Sequence, residues 1–226
     1  MTLKLPPIKT RVSSRKPLAI VLAVAAVAVL LAWFLWPSPY ARVKNVASQG
    51  KTIVAFGDSL TAGFGAGKGD DYPTKLAIGT DMEILNAGIS GDTTEAALAR
   101  IDTDVLAKKP RIVIVGLGGN DFLRAVPITT TEANLRAIVR RIQGAGSAVM
   151  LLGFEFPSVT ASYGKMYERV AREEGCLFVP DMLDGILTNP SVKSDEIHPN
   201  ATGYEMMAER VARPLRKLLA EADKVR

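Results

Sequence analysis

Short apolar runs alternate with amphipathic stretches along most of the chain, and the alternation starts only after residue 50. The runs at 52–56, 83–85, 112–116, 148–153 and 177–179 have the length and Val/Ile/Leu content of strands buried on both faces. Between them lie segments of roughly ten to fifteen residues with helical spacing of apolar positions. Asp92-x-x-Glu95 and Thr129-x-x-Glu132 read as capping signals at helix starts. Parallel strands need crossovers, and right-handed crossovers place helices on both faces, so the pattern predicts an α/β domain over 51–222 with a parallel five-stranded sheet. No internal repeat or low-complexity tract interrupts it.

The N-terminal region follows a different pattern. Residues 17–36, PLAIVLAVAAVAVLLAWFLW, carry no charge. At 1.5 Å per residue they are long enough to cross a hydrocarbon core of roughly 30 Å. Lys4, Lys9, Arg11, Arg15 and Lys16 precede this run without an acid, and Trp33, Trp36 and Tyr40 fit its far interface. The expected arrangement is a basic cytoplasmic segment (1–16), one transmembrane helix (17–36), a Pro-containing linker (37–50), the folded domain and a short tail (223–226). That topology implies a single-pass protein of a bacterial inner membrane with its domain in the periplasm. The alternative is secretion to the periplasm after signal cleavage, but a signal peptide's apolar core runs about 7–15 residues and ends in small residues, unlike Trp-Phe-Leu-Trp-Pro.

Composition narrows the classes. With 226 residues, one ordinary domain can form a core without disulfides, and the single cysteine, Cys176, reads as a buried small hydrophobe ahead of a strand. Its distance from the apolar segment rules out a lipoprotein anchor. The net charge of +5 raises nucleic acid as a partner, but the basic residues are interleaved with acids, so none is expected. One histidine and one cysteine cannot build the usual zinc sites. Asp70 and Asp71 read as a solvated loop. The glycine-rich stretch 63–69 fails both nucleotide templates: a P-loop needs Gly at Ala62 and Ser or Thr at Gly69, and a dinucleotide fingerprint needs Gly at Lys68.

Chemistry should collect where ligands collect in such sheets, at the carboxyl ends of the strands. Phe56-Gly57-Asp58-Ser59-Leu60-Thr61 follows the first run, Asn86-Ala87-Gly88-Ile89-Ser90-Gly91-Asp92 the second, and Gly116-Leu117-Gly118-Gly119-Asn120-Asp121 the third. The lone histidine, His198, lies in Asp195-Glu196-Ile197-His198-Pro199-Asn200 before the final helix. Taken singly, each segment has a bland explanation as a cap or turn: Ser and Asp cap helices, Gly and Asn make turns, and Pro199 opens a helix. Together they supply a hydroxyl, an imidazole with a carboxylate three residues away, and polar N–H groups, the parts of an acyl-transfer site.

In this order the four segments resemble the blocks of the SGNH or GDSL hydrolases: Gly57-Asp58-Ser59-Leu60, Gly91 within Ile89-Ser90-Gly91-Asp92-Thr93, Gly118-Gly119-Asn120-Asp121, and Asp195-x-x-His198-Pro199-Asn200. Pro157 and Tyr163-Gly164-x-x-Tyr167 resemble the bacterial acyl-thioesterase, lysophospholipase and arylesterase subgroup. The resemblance implies a flavodoxin-like three-layer α/β/α fold and hydrolysis of acyl esters or thioesters. Ser59, Asp195 and His198 would be catalytic, the N–H groups of Ser59 and Gly91 and the amide of Asn120 would form the oxyanion hole, and no metal or organic cofactor would be required. The expected partner is a small acyl ester or a lipid, with the membrane held by the N-terminal helix. The larger α/β-hydrolase class fits less well, because its elbow needs G-x-S-x-G and Thr61 holds the last position. Two readings stay open: a membrane-tethered carbohydrate O-acetyl esterase, and a catalytically silent binding module of the same fold.

Overall fold

The computed structural model describes residues 20–22, 24–27, 39–80, 82–155 and 161–224. The chain divides into two compact units, Met1–Ser38 and Pro39–Arg226. The second holds the strands β1 (Thr52–Gly57), β2 (Glu83–Gly88), β3 (Ile112–Gly116), β4 (Ala148–Leu152) and β5 (Leu177–Val179). They form one sheet in the order β2-β1-β3-β4-β5, with every pairing parallel. β1, β3 and β4 are apolar without alternation and buried almost throughout, as strands covered on both faces must be. The edge strands differ: β2 is half-exposed and begins with Glu83, and β5 has only three residues.

The helices are α1 (Ser59–Ala62), α2 (Tyr72–Ile78), α3 (Thr94–Asp104), α4 (Gly119–Leu123), α5 (Ile128–Gly144), α6 (Ala161–Glu174) and α7 (Ala201–Lys224). α2 packs on α7, and α5 packs between α3 and α6, which gives the two helical layers of an α/β/α sandwich. The strand order matters for function. From β1 the chain goes to β2 on one side and returns to β3 on the other, so crossovers diverge at this point and leave a crevice beyond the carboxyl ends of the strands.

Several local expectations shift. β2 runs on through Asn86 to Gly88, because the Asn86 amide donates to Thr61 O (2.8 Å) and Asp71 Oδ1 (3.1 Å), so a polar residue is satisfied inside the strand. α3 is capped by Thr93, whose hydroxyl accepts from Ala96 N–H (3.3 Å), while Asp92 is drawn to Arg100 instead. α5 begins after Pro127, so Thr129 lies within its first turn, and Glu132 pairs with Arg136 and Arg169. Asp71 is no idle loop acid, since it caps α2 through Thr74 N–H (2.9 Å). Part of the segment read as a linker makes contacts with the domain. There Val43 is buried, Lys44 N–H donates to Gly175 O (3.0 Å), and the Asn45 amide donates to Gln143 O (2.8 Å) and Ser147 O (3.1 Å).

The expected transmembrane helix is corrected. Among the described residues no helix is long and apolar enough to cross a membrane. Of 17–36 only 20–22 and 24–27 are described, and these are helical. The rest of that span, with Trp33 and Trp36, and the basic segment 1–16 lie outside the described residues. Tyr40, expected at a membrane interface, packs against the protein core. The membrane as a partner and the single-pass placement in an inner membrane with a periplasmic domain rested on that helix, and they are withdrawn with it.

Candidate active site

Ser59 sits at the carboxyl end of β1 as the first residue of the four-residue helix α1. Asp58 starts that turn by accepting from Leu60 N–H (3.1 Å), and Gly63 ends it in the left-handed region (φ +83°), with its N–H on Ser59 O (3.0 Å). This short helix lies unusually close to the sheet. Gly57 is in register with Gly88 of β2 and Gly116 of β3, so three glycines stand in a row at the strand ends. A Cβ at Gly57 would run into the Thr61 hydroxyl and come within 2.6 Å of Gly116 O, and one at Gly88 would run into the backbone of Ala62. Side chains there would push Ser59 away from the strand ends.

The other half of the site comes from the loop before α7. His198 Nε2 is 3.0 Å from Ser59 Oγ, and its Nδ1 is 2.7 Å from Asp195 Oδ2 and 3.0 Å from Oδ1. Asp195 Oδ1 also accepts from the N–H groups of Ile197 (2.9 Å) and His198 (2.8 Å). Burial raises the Asp195 carboxyl's pKa, but the Ile197 N–H, the His198 ring and the His198 N–H outweigh it and hold the group below the usual carboxylate value. An ionised carboxylate can only accept, so the neutral ring carries its proton on Nδ1 and Nε2 accepts from the Ser59 hydroxyl. The loop is pinned by Ser194 N–H on His198 O (2.9 Å) and by Asn200 Oδ1 accepting from the first N–H groups of α7. Phe64 lies against the imidazole, ring centroids 4.6 Å apart, and its carbonyl accepts from the Tyr204 hydroxyl (2.8 Å).

Gly91 and Asn120 come to the same place. Gly91 occupies a turn closed by Asp92 N–H on Ile89 O (3.1 Å), and its φ of +85° explains the glycine. Asn120 is in the first turn of α4, where the buried Tyr167 hydroxyl braces the preceding backbone by donating to Leu117 O (2.7 Å). The Asn120 amide donates to Asp92 O (3.0 Å) and, at a longer 3.3 Å, to Asp58 Oδ2. Ser59, Gly91, Asn120 and His198 all line one cavity of about 200 Å³, whose remaining wall is mainly apolar: Leu60, Phe64, Leu117, Phe122, Phe154, Met182 and Leu183 among others. All five residues singled out in the sequence therefore meet at one cavity or, for Asp195, stand directly behind it.

The sequence did not single out Asp58, Phe64 or Arg100 as functional residues. Asp58 is 3% exposed and close to Asp92 and Asp121, and among the described residues it forms no ion pair; burial above all pushes its carboxyl up to about 7. Its place next to the serine was visible, but its burial depends on contacts from distant segments. Among the described residues no group of three or more His, Cys, Asp or Glu is arranged to hold a metal ion.

The model of the GDSL-like lipase/acylhydrolase family matches residues 55–206, which span all four blocks. The chain belongs to this family. It is 30% identical over 180 residues to esterase TesA of Pseudomonas aeruginosa, covering 75% of this chain and 90% of that protein. It is also 30% identical over 200 residues to the thioesterase 1/protease 1/lysophospholipase L1 of Escherichia coli K12, covering 82% of this chain and 95% of that protein. Superposition on a crystal structure of TesA gives a TM-score of 0.70 at 30% identity, over 74% of this chain and 99% of the other. As a family member the protein is an ester hydrolase of the serine type acting on acyl esters, and the three-layer fold and enzyme class expected from the sequence both hold. Of the two subgroup markers, Pro157 lies outside the described residues, while Tyr163 and Tyr167 are buried on α6 beneath the Asn120 loop.

Proposed function

We propose that this esterase works through an acyl-enzyme on Ser59, with His198 as general base and then acid, Asp195 as the group that orients the imidazole, and Ser59 N–H, Gly91 N–H and the Asn120 amide as oxyanion donors. The observation that carries the proposal is the unbroken chain Ser59 Oγ, His198 Nε2, His198 Nδ1, Asp195 Oδ2, with links of 3.0 Å and 2.7 Å. Ser59 Oγ attacks the acyl carbonyl as its proton passes to Nε2, and the carbonyl π electrons move onto oxygen. Collapse of the tetrahedral species breaks the bond to the leaving alcohol or thiol, which takes the proton from His198. Water then attacks the acyl-enzyme with the same base, releasing the carboxylic acid and restoring the serine. Every proton and electron pair is accounted for by groups on the chain, the substrate and water.

The acyl group belongs in the apolar part of the cavity, between Leu117, Phe154, Met182 and Leu183, where burial of each CH₂ is worth about 0.8 kcal/mol. This favours medium acyl chains over acetyl and supports a lysophospholipase- or thioesterase-like substrate class over a carbohydrate O-acetyl esterase. Two measurements test the proposal. A fluorophosphonate probe should label the wild type and not Ser59→Ala, and nitrophenyl-ester hydrolysis should fall to background in that variant. Across a chain-length series kcat/KM should rise from acetyl toward medium chains. Wild-type hydrolysis by folded Ser59→Ala would end the mechanism, and an acetyl preference would end the substrate reading.

A further inference from the structure

Arg100 lies in the middle of α3, outside all four sequence blocks, yet its guanidinium reaches back over the strand ends where the site is built. Its side chain is 14% exposed. Nη2 donates to Gly57 O (3.1 Å) at the end of β1 and to Ala87 O (3.0 Å) near the end of β2. Nε donates to Asp92 Oδ2 (2.6 Å), Nη1 donates to Asp104 Oδ2 (2.9 Å), and the guanidinium carbon lies 4.5 Å from the centroid of the Phe56 ring. Gly57 is two residues before Ser59, and Asp92 directly follows Gly91. The carbonyl of the same Asp92 accepts from the Asn120 amide (3.0 Å). One planar cation therefore ties the backbone that presents the nucleophile to the loop that presents Gly91, and through Asp92 to Asn120.

The charge matters as much as the geometry. Asp92 is 8% exposed, it directly follows Gly91, and its charge acts on Asp58, the neighbour of Ser59. In a site of low dielectric an uncompensated carboxylate there opposes the developing negative charge. Resting on the oxyanion-hole reading above, we propose that Arg100 is a positioning residue for hydrolysis: it sets the Gly91 and Asn120 donors relative to Ser59 and neutralises Asp92 beside the oxyanion. A lysine keeps the charge but not the fork that reaches two carbonyls and a carboxylate at once.

The test uses Arg100→Gln, Arg100→Lys, Asp92→Asn and the Arg100→Gln/Asp92→Asn double variant of the full chain, with active sites counted by fluorophosphonate labelling. Per active site, Arg100→Gln should lose about 30- to 100-fold in kcat with KM within about threefold, because the lost interaction acts in the transition state. Adding Asp92→Asn should recover about tenfold, since the orphaned charge goes with it, and Arg100→Lys should fall between wild type and Arg100→Gln. A purely structural clamp would lower melting temperature without this kcat/KM split, and its double variant would be no better than Arg100→Gln. Either result, or wild-type kcat in folded Arg100→Gln, overturns the proposal. If Arg100→Gln does not fold, Arg100→Lys decides: wild-type kcat with a lowered melting temperature overturns the proposal, and a fall in kcat at constant KM supports it. Failure of Ser59→Ala to abolish hydrolysis would overturn the underlying mechanism, whereas an inert Ser59→Ala with a fully active Arg100→Gln would overturn this inference alone.

Discussion

Asp58 offers a quantitative test of the site's electrostatics. Its carboxyl is buried next to Asp92 and Asp121, and burial first, then those two charges, push it from its ordinary 3.8 to about 7 against the Leu60 N–H that favours the anion. A folded pKa above the unfolded one means that the folded state holds the proton more tightly. The associated stability is fully present below about pH 4 and is lost as pH rises toward 7. Raising the carboxyl from 3.8 to about 7 corresponds to about 4 kcal/mol by pH 8, more than half of it lost above pH 5. Asp58→Asn removes the ionisation and keeps an acceptor for Leu60 N–H. The stability difference between variant and wild type should therefore move in the variant's favour by about 2–3 kcal/mol between pH 5 and pH 8. Urea unfolding of both proteins at the two pH values, with m-values checked for equality, measures it. A difference independent of pH, or one that shifts toward the wild type at pH 8, would refute the assignment of Asp58 as a strained buried acid.

Two further outcomes follow from the same contacts. Asn120→Ala should fold, because it lies on a short half-exposed turn, and should lose about 10²–10³ in kcat with little change in KM, as measured with nitrophenyl esters; a loss confined to KM would place the amide in ground-state binding instead. Cys176 has its thiol pushed up to about 12, mainly by burial and also by Glu174, so iodoacetamide at pH 8 should leave it unmodified in the folded protein and label it in urea; fast labelling without denaturant would contradict the packing.

How legible these features were depended on distance along the chain. Three of the four blocks are a few consecutive residues placed by one strand end each, so Ser59, Gly91 and Asn120 could be located once β1, β2 and β3 were recognised, and Asp195 and His198 are held by a loop that closes on itself. The central strands β1, β3 and β4 were legible because buried parallel strands carry no competing polar signal, whereas the half-exposed β2 was read only as far as Leu85. The partners that join the blocks were not legible. Arg100 meets Gly57 across 43 positions and Asn120 meets Asp58 across 62, and neither pairing leaves a local trace. The row formed by Gly57, Gly88 and Gly116 appears only when register is known. Hydropathy over 17–36 predicted a membrane span from side chains alone, and among the described residues no helix is long and apolar enough to make one.

The site is better understood as three strand ends held at a fixed spacing than as a triad placed on a scaffold. Ser59 approaches closely enough to use donors from β2 and β3 because Gly57 and Gly88 leave no Cβ beneath α1. That approach also brings the carboxylates of Asp58, Asp92 and Asp121 close together, where repulsion and lost hydration cost stability. The chain meets this cost differently at each position. Arg100 compensates Asp92, and the N–H and hydroxyl of Thr94 satisfy Asp121 (2.8 and 2.6 Å). Among the described residues Asp58 forms no ion pair, and burial pushes its carboxyl up to about 7. Of the two acceptors of the Asn120 amide, Asp58 makes the longer bond, so on the proposed mechanism it is the partner that amide gives up most cheaply to an oxyanion.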